Sequence, residues 1–91
     1  MPGPVRDNPA RNRFEMDVDG DLAIANYRLS PGVVVITHTE VPDEVSGRGY
    51  GSTLVRGMLD QLRGRGVKVV PQCSFVAGFI RRHPDYKDMV A

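Results

Sequence analysis

The apolar residues of this chain keep two different periods. Phe14, Met16 and Val18 alternate with Glu15 and Asp17, as in a strand with one buried face, whereas Leu54, Val55, Met58, Leu59 and Leu62 follow the i, i+1, i+4, i+5, i+8 stripe of a helix. Between the two patterns lies the glycine-rich run Val45-Ser46-Gly47-Arg48-Gly49-Tyr50-Gly51-Ser52-Thr53. A chain that switches period across such a loop is constrained to put a group of strands before it and a helix directly after.

The strands can be counted. Asp19-Gly20 between two apolar runs predicts a tight type I′ hairpin, because glycine accepts the positive φ that turn requires. The returning strand is expected over Asp21 to Arg28, and Ser30-Pro31-Gly32 turns the chain into Val33 to Glu40, β-branched at six of eight positions. Its continuous apolar start predicts a central strand covered on both faces. The helix follows, ended by Gly64 or Gly66. A short strand, Val67 to Pro71, is expected in the same sheet, and a last helix, Ser74 to Arg82, is expected to bury Phe75, Val76, Phe79 and Ile80 before Pro84. The reading is an α/β (α+β) domain over residues 13–91: a three-stranded antiparallel meander, helix, strand, helix. Residues 1–12, with Pro2, Pro4, Pro9 and Gly3, read as an unfolded leader outside it.

Ninety-one residues leave room for one small core and not for two domains. No apolar run approaches the roughly 18 residues of a membrane helix, so no membrane partner is expected. A single cysteine, Cys73, forms no internal disulfide, and with no secretory leader in view a reducing, cytoplasmic setting is expected. The net charge of +1 hides a division: residues 1–45 carry −4 and residues 46–91 carry +5. The basic half begins at the glycine-rich loop. Such segregation describes either two solvated faces or an anion site.

The loop favours the anion site. Closely spaced glycines let a ligand approach the backbone, a helix starting near Ser52 presents unpaired N–H groups, and Arg48 adds a full charge, which together make a phosphate cradle. A plain turn with Ser52 or Thr53 as N-cap is the simpler alternative. Gly51 stands where a Walker loop needs lysine, and Ser52 and Leu54 stand where a dinucleotide fingerprint needs glycine. Nucleotide triphosphatases and Rossmann enzymes are set aside.

Strand, Gly47-Arg48-Gly49-Tyr50-Gly51, amphipathic helix, strand and helix resemble the acetyl-CoA-binding core of the GCN5-related N-acetyltransferases. Gly49 and Gly51 match the small positions of the signature [Q/R]-x-x-G-x-[G/A], and Ser46 stands at its first position. Arg48-Gly49-Tyr50-Gly51, Pro71-Gln72-Cys73-Ser74-Phe75 and His83-Pro84-Asp85-Tyr86, in that order, are similar to a minimal, truncated subgroup of that fold. The resemblance implies acetyl-CoA as the acyl donor and an unidentified amine as acceptor. It implies that Gly47, Arg48, Gly49, Tyr50, Gly51 and Ser52 hold the CoA pyrophosphate, and that the Val41 N–H polarises the thioester carbonyl, Pro42 having none.

His38 and Glu40, two apart on one strand, are the candidate bases for the amine, or merely a solvated strand end. Cys73, between a strand end and a helix N-terminus, is a candidate acyl-accepting nucleophile, a polar contact to the substrate, or a buried small hydrophobe. The family's usual tyrosine acid on the last helix is absent, and Tyr86 replaces it only if the chain folds back. No metal site is expected. Arg81 and Arg82 read as solvated or as contacts to the CoA 3′-phosphate. Two other functions stay open: a non-catalytic CoA or acyl-CoA binding module, and, more remotely, a nucleic-acid module using Arg63-Gly64-Arg65-Gly66, which has no interleaved aromatics for base stacking. With so little chain for an acceptor cleft, the acceptor side is expected to be open, or completed by a second copy in a homodimer.

Overall fold

The structure is a computed structural model and describes residues 2–42 and 49–91. Its five strands are β1 (Arg6–Asn8), β2 (Arg13–Val18), β3 (Asp21–Ser30), β4 (Val33–Glu40) and β5 (Lys68–Pro71), and they form one sheet in sequence order. The first four are antiparallel; β5 runs parallel to β4, from Val33↔Lys68 to Ile36↔Pro71. The two helices, α1 (Tyr50–Gly64) and α2 (Ser74–Arg82), supply the crossover from β4 to β5 and the return from it. A 3₁₀ segment, Pro84–Met89, follows α2.

One side of the sheet carries the core. Phe14, Met16 and Val18 of β2, Ala23 and Ala25 of β3 and Ile36 of β4 are fully buried against Leu54, Val55, Met58, Leu59 and Leu62 of α1 and Val76 and Phe79 of α2. All five residues of the expected α1 stripe lie inside. The hairpin forms at Asp19 and Gly20, both with positive φ, as a type I′ turn demands. Residues of the opposite parity on the strands face away from both helices. This is a two-layer domain with one covered face and one open face.

Three expectations are corrected here. Strand β4, expected to be covered on both faces, is covered by helices on one. Residues 2–12 are part of the fold: β1 pairs with β2, Pro2 bridges Val18, and the Gly3 N–H donates to the Asp17 carbonyl at 2.8 Å. Val5 packs on the core, and its carbonyl accepts from the Gln61 side chain at 2.7 Å. Low apolar content did not leave this segment unfolded, because a waiting edge strand supplied its hydrogen bonds. Phe75, expected in the core, is 40% exposed.

Candidate functional site

The sheet departs from regular pairing at one place. Tyr27 pairs with Ile36 but Asn26 pairs with His38, so Thr37 is an extra residue on β4, a β-bulge. The Thr37 hydroxyl donates to the Asn26 carbonyl at 3.4 Å. An inserted residue inverts the alternation beyond it. Ile36 faces the helices; past the bulge it is Thr39, paired with buried Ala25, that faces them. His38 and Glu40, paired with Asn26 and Ile24, face the open side.

The candidate residues therefore divide between the two faces of one strand. His38 Nε2 lies 3.3 Å from Glu40 Oε2, with side chains 61% and 68% exposed. On the helix side, Cys73 Sγ lies 3.4 Å from Thr39 Oγ1, and the Cys73 N–H donates to the Ile36 carbonyl at 3.1 Å. That last bond continues the β4–β5 pairing one step past Pro71. Beyond it β5 has turned into α2, while β4 runs on to Glu40. Among the described residues, Thr37 to Glu40 thus have a strand neighbour in β3 and none in β5. Val41, half-buried against the core, follows directly.

Cys73 is the N-cap of α2, as its position between strand and helix predicts. Burial pushes its thiol up, but hydrogen bonding from the Thr39 hydroxyl and the nearby N–H groups of Val76 and Phe75 outweighs burial and sets the thiol below its usual range.

The N-terminus of α1 completes the surroundings. Gly49, the N-cap, has φ of 80°, and the first intrahelical bond runs from the Thr53 N–H to the Gly49 carbonyl at 3.1 Å. The amides of Tyr50, Gly51 and Ser52 precede that bond, and among the described residues no side chain caps them. The expected start near Ser52 moves to Tyr50, so the glycine loop feeds the helix directly. Gly47 and Arg48 of the expected phosphate cradle lie outside the described residues, as does Ser46.

Two other expectations resolve away from this end. The chain folds back after α2, but Tyr86 donates its hydroxyl to Asp60 Oδ1 at 2.7 Å, ten residues and about 15 Å along α1 from Tyr50. Burial and then that carboxylate raise its phenol, so Tyr86 is a tie between the 3₁₀ segment and α1. Arg63 reaches Asp88 at 2.9 Å and Arg65 reaches Asp7 at 2.9 Å, while their guanidinium groups stack on Tyr86 and Phe14. Both arginines of the Arg-Gly-Arg-Gly stretch thus tie α1 and its C-cap to other segments of the fold. Sequence reasoning missed the bulge, since no glycine or proline marks it, and missed Thr39, which acquires a role only because the bulge turns it toward Cys73.

No helix among the described residues is long and apolar enough to cross a membrane. Compared with known proteins, residues 13–89 match the family model described as GCN5-related N-acetyl-transferase. The mouse protein NATD1 is 30% identical over 87 residues, covering 90% of this chain and 79% of its own; human NATD1 is 28% identical over 83, covering 88% and 74%. The solution structure of a GCN5-like protein from Staphylococcus aureus superposes with a TM-score of 0.73 at 27% identity, covering 96% of this chain and 86% of that one. The overall fold is thus shared, and the chain belongs to the GCN5-related N-acetyltransferase family.

Proposed function

We propose that this protein transfers an acetyl group from acetyl-CoA to a primary amine. The observation that carries the reading is the strip of β4 from Thr37 to Glu40, which loses its β5 neighbour beside Cys73, the N-cap of a helix that touches the start of α1 through Phe75 and Gly51. A strip of strand edge offers N–H and C=O groups to an extended ligand, as in β-strand addition. A helix start with free amides suits a phosphate. The pantetheine arm of CoA is extended and carries two amides and its pyrophosphate is anionic, so strand edge and helix start suit these two parts in turn. Tyr50, Gly51 and Ser52, with Gly47, Arg48 and Gly49 preceding them, hold the pyrophosphate in this reading, and the Val41 N–H meets the thioester oxygen.

The division of side chains across β4 gives each a role. A lysine-like amine is neutral in only about one molecule in 10³ at pH 7, so a proton acceptor raises the reactive fraction. The exposed His38–Glu40 pair takes that proton on the open face, where an acceptor has access. The amine nitrogen attacks the thioester carbon, the C–S bond breaks, and the sulfur departs as the CoA thiolate. Cys73, on the helix side with a lowered thiol pKa, offers a second route through an acetyl-cysteine, from which the amine takes the acetyl group in turn.

Calorimetric titration with CoA tests the cofactor reading: saturable binding is expected, and none at millimolar ligand refutes it. Turnover with a panel of amines separates enzyme from carrier. Release of CoA that needs an amine and falls at least about a hundredfold in Glu40→Gln with His38→Gln is expected, that being the low end of what a general base contributes. CoA binding without turnover of any amine would leave a binding module.

A further inference from the structure

Phe75 is an aromatic side chain that the core does not take. It lies on the first turn of α2, 40% exposed, while Val76, Phe79 and Ile80 of the same helix are buried. Its ring instead rests on α1. A Cβ at Gly51 would meet Phe75 Cζ at 2.7 Å and the two Cε atoms at 3.3 and 3.4 Å, so only glycine at 51 admits the ring in this position. Two residues before it stands Cys73, whose thiol meets Thr39 of the bulged strand. The ring thus spans the ground between the amides that start α1 and the sulfur beside β4. Gly51 therefore has a reason to be glycine beyond any ligand: it seats an aromatic that remains partly in water.

We propose that the Phe75 ring is the apolar wall against which the pantetheine arm of CoA lies, a positioning residue that selects the arm rather than the nucleotide. The inference rests on the CoA reading above. An arm whose phosphate is held at Tyr50–Ser52 and whose thioester end reaches the β4 strip has to pass this ground. Its amides pair with strand edge, but the pantoyl segment carries two methyl groups that no hydrogen bond satisfies. An aromatic face covers such methyls and loses exposed area in doing so. Cys73 is placed at the end of the same path, so the ring also fixes how far the thioester advances.

The test is binding of CoA, 4′-phosphopantetheine and adenosine 3′,5′-bisphosphate to the intact protein and to Phe75→Ala and Phe75→Leu. Phe75→Ala is expected to weaken CoA and 4′-phosphopantetheine by about tenfold, the size of a lost contact of some 50 Å² of apolar area, and to leave the bisphosphate within about twofold. Phe75→Leu keeps the apolar wall and should stay within about threefold for all three. Unchanged CoA affinity in Phe75→Ala overturns the proposal, and so does an equal loss for the bisphosphate, which would mark a disturbed α1 start. Absence of CoA binding by the unaltered protein removes the CoA reading and this inference with it; normal CoA binding that ignores Phe75 removes the inference alone.

Discussion

At Cys73 three influences meet on one sulfur: partial burial, a threonine hydroxyl and the start of a helix. Burial alone raises a thiol, so a value below the ordinary range requires the other two to prevail. Thr39→Val removes the hydroxyl and keeps the shape. Alkylation of Cys73 by iodoacetamide should therefore reach half its maximal rate below the usual thiol pH in the unaltered protein, and at a higher pH in Thr39→Val. A midpoint indifferent to Thr39 would deny the hydroxyl its influence. Incubation with acetyl-CoA followed by mass spectrometry then asks whether the same sulfur takes the acetyl group. An adduct present in the unaltered protein and absent in Cys73→Ala supports the two-step route, and an adduct that survives in the variant refutes it. The position of Cys73 was readable from the sequence, because a strand end before an amphipathic run fixes an N-cap. Its hydrogen-bond partner was not, since nothing in Val33 to Glu40 announces where an extra residue enters the pairing.

Helix α1 shows how an element adapts to its neighbour. Glycine in a helix interior ordinarily costs about 0.5–1 kcal/mol relative to alanine, so Gly57→Ala would be expected to stabilise. Here a Cβ would stand 2.6 Å from Val5 Cγ2 and 2.8 Å from its Cβ. Overpacking of that kind costs roughly 1–3 kcal/mol, which exceeds the propensity gain. We expect Gly57→Ala to lower stability in urea by about 1 kcal/mol or more, and the same change in a Val5→Gly background to raise it. A gain in both backgrounds would show that the notch is not filled in solution. The reversal of sign depends on a segment whose sequence reads as unfolded. Residues 2–8 have no period of their own to detect; they are ordered by the unpaired edge of β2 and by a glycine fifty positions away. The period-based elements were legible in the sequence: β4 and α2 begin and end at the expected residues, and β3 runs only two further. Phe75 was misjudged because periodicity reports the apolar face of a helix and not how far the partner layer reaches beneath its first turn.

Across the whole molecule, the N-terminal strand, the meander and the end of α1 meet at Asp7. Its carboxylate accepts from the Tyr27 hydroxyl at 2.7 Å and pairs with Arg65 at 2.9 Å. Burial first, and then Asp7, push the Tyr27 phenol up to about 12. The unfolded chain loses this proton near pH 10 and the folded chain two units later, so the stabilisation is complete below pH 10 and lost as pH rises from about 10 to about 12. Tyr27→Phe should cost on the order of 1 kcal/mol at pH 7 and should flatten the fall in urea midpoint between pH 9 and pH 11. A parallel fall in both proteins would place the alkaline weakness elsewhere.

The sheet's borders carry a last consequence. At one border β1 has three residues preceded by proline at positions 2 and 4; at the other β5 has four, ends in proline, and is bridged at Val69 by Val90. Short, proline-marked borders discourage two copies from zipping together, and the strip past the bulge is where this guard is relaxed. In the reading proposed above, recognition of the donor and self-association would compete for the same few peptide groups. In that reading a bound donor would act as a solubility factor as well as a substrate.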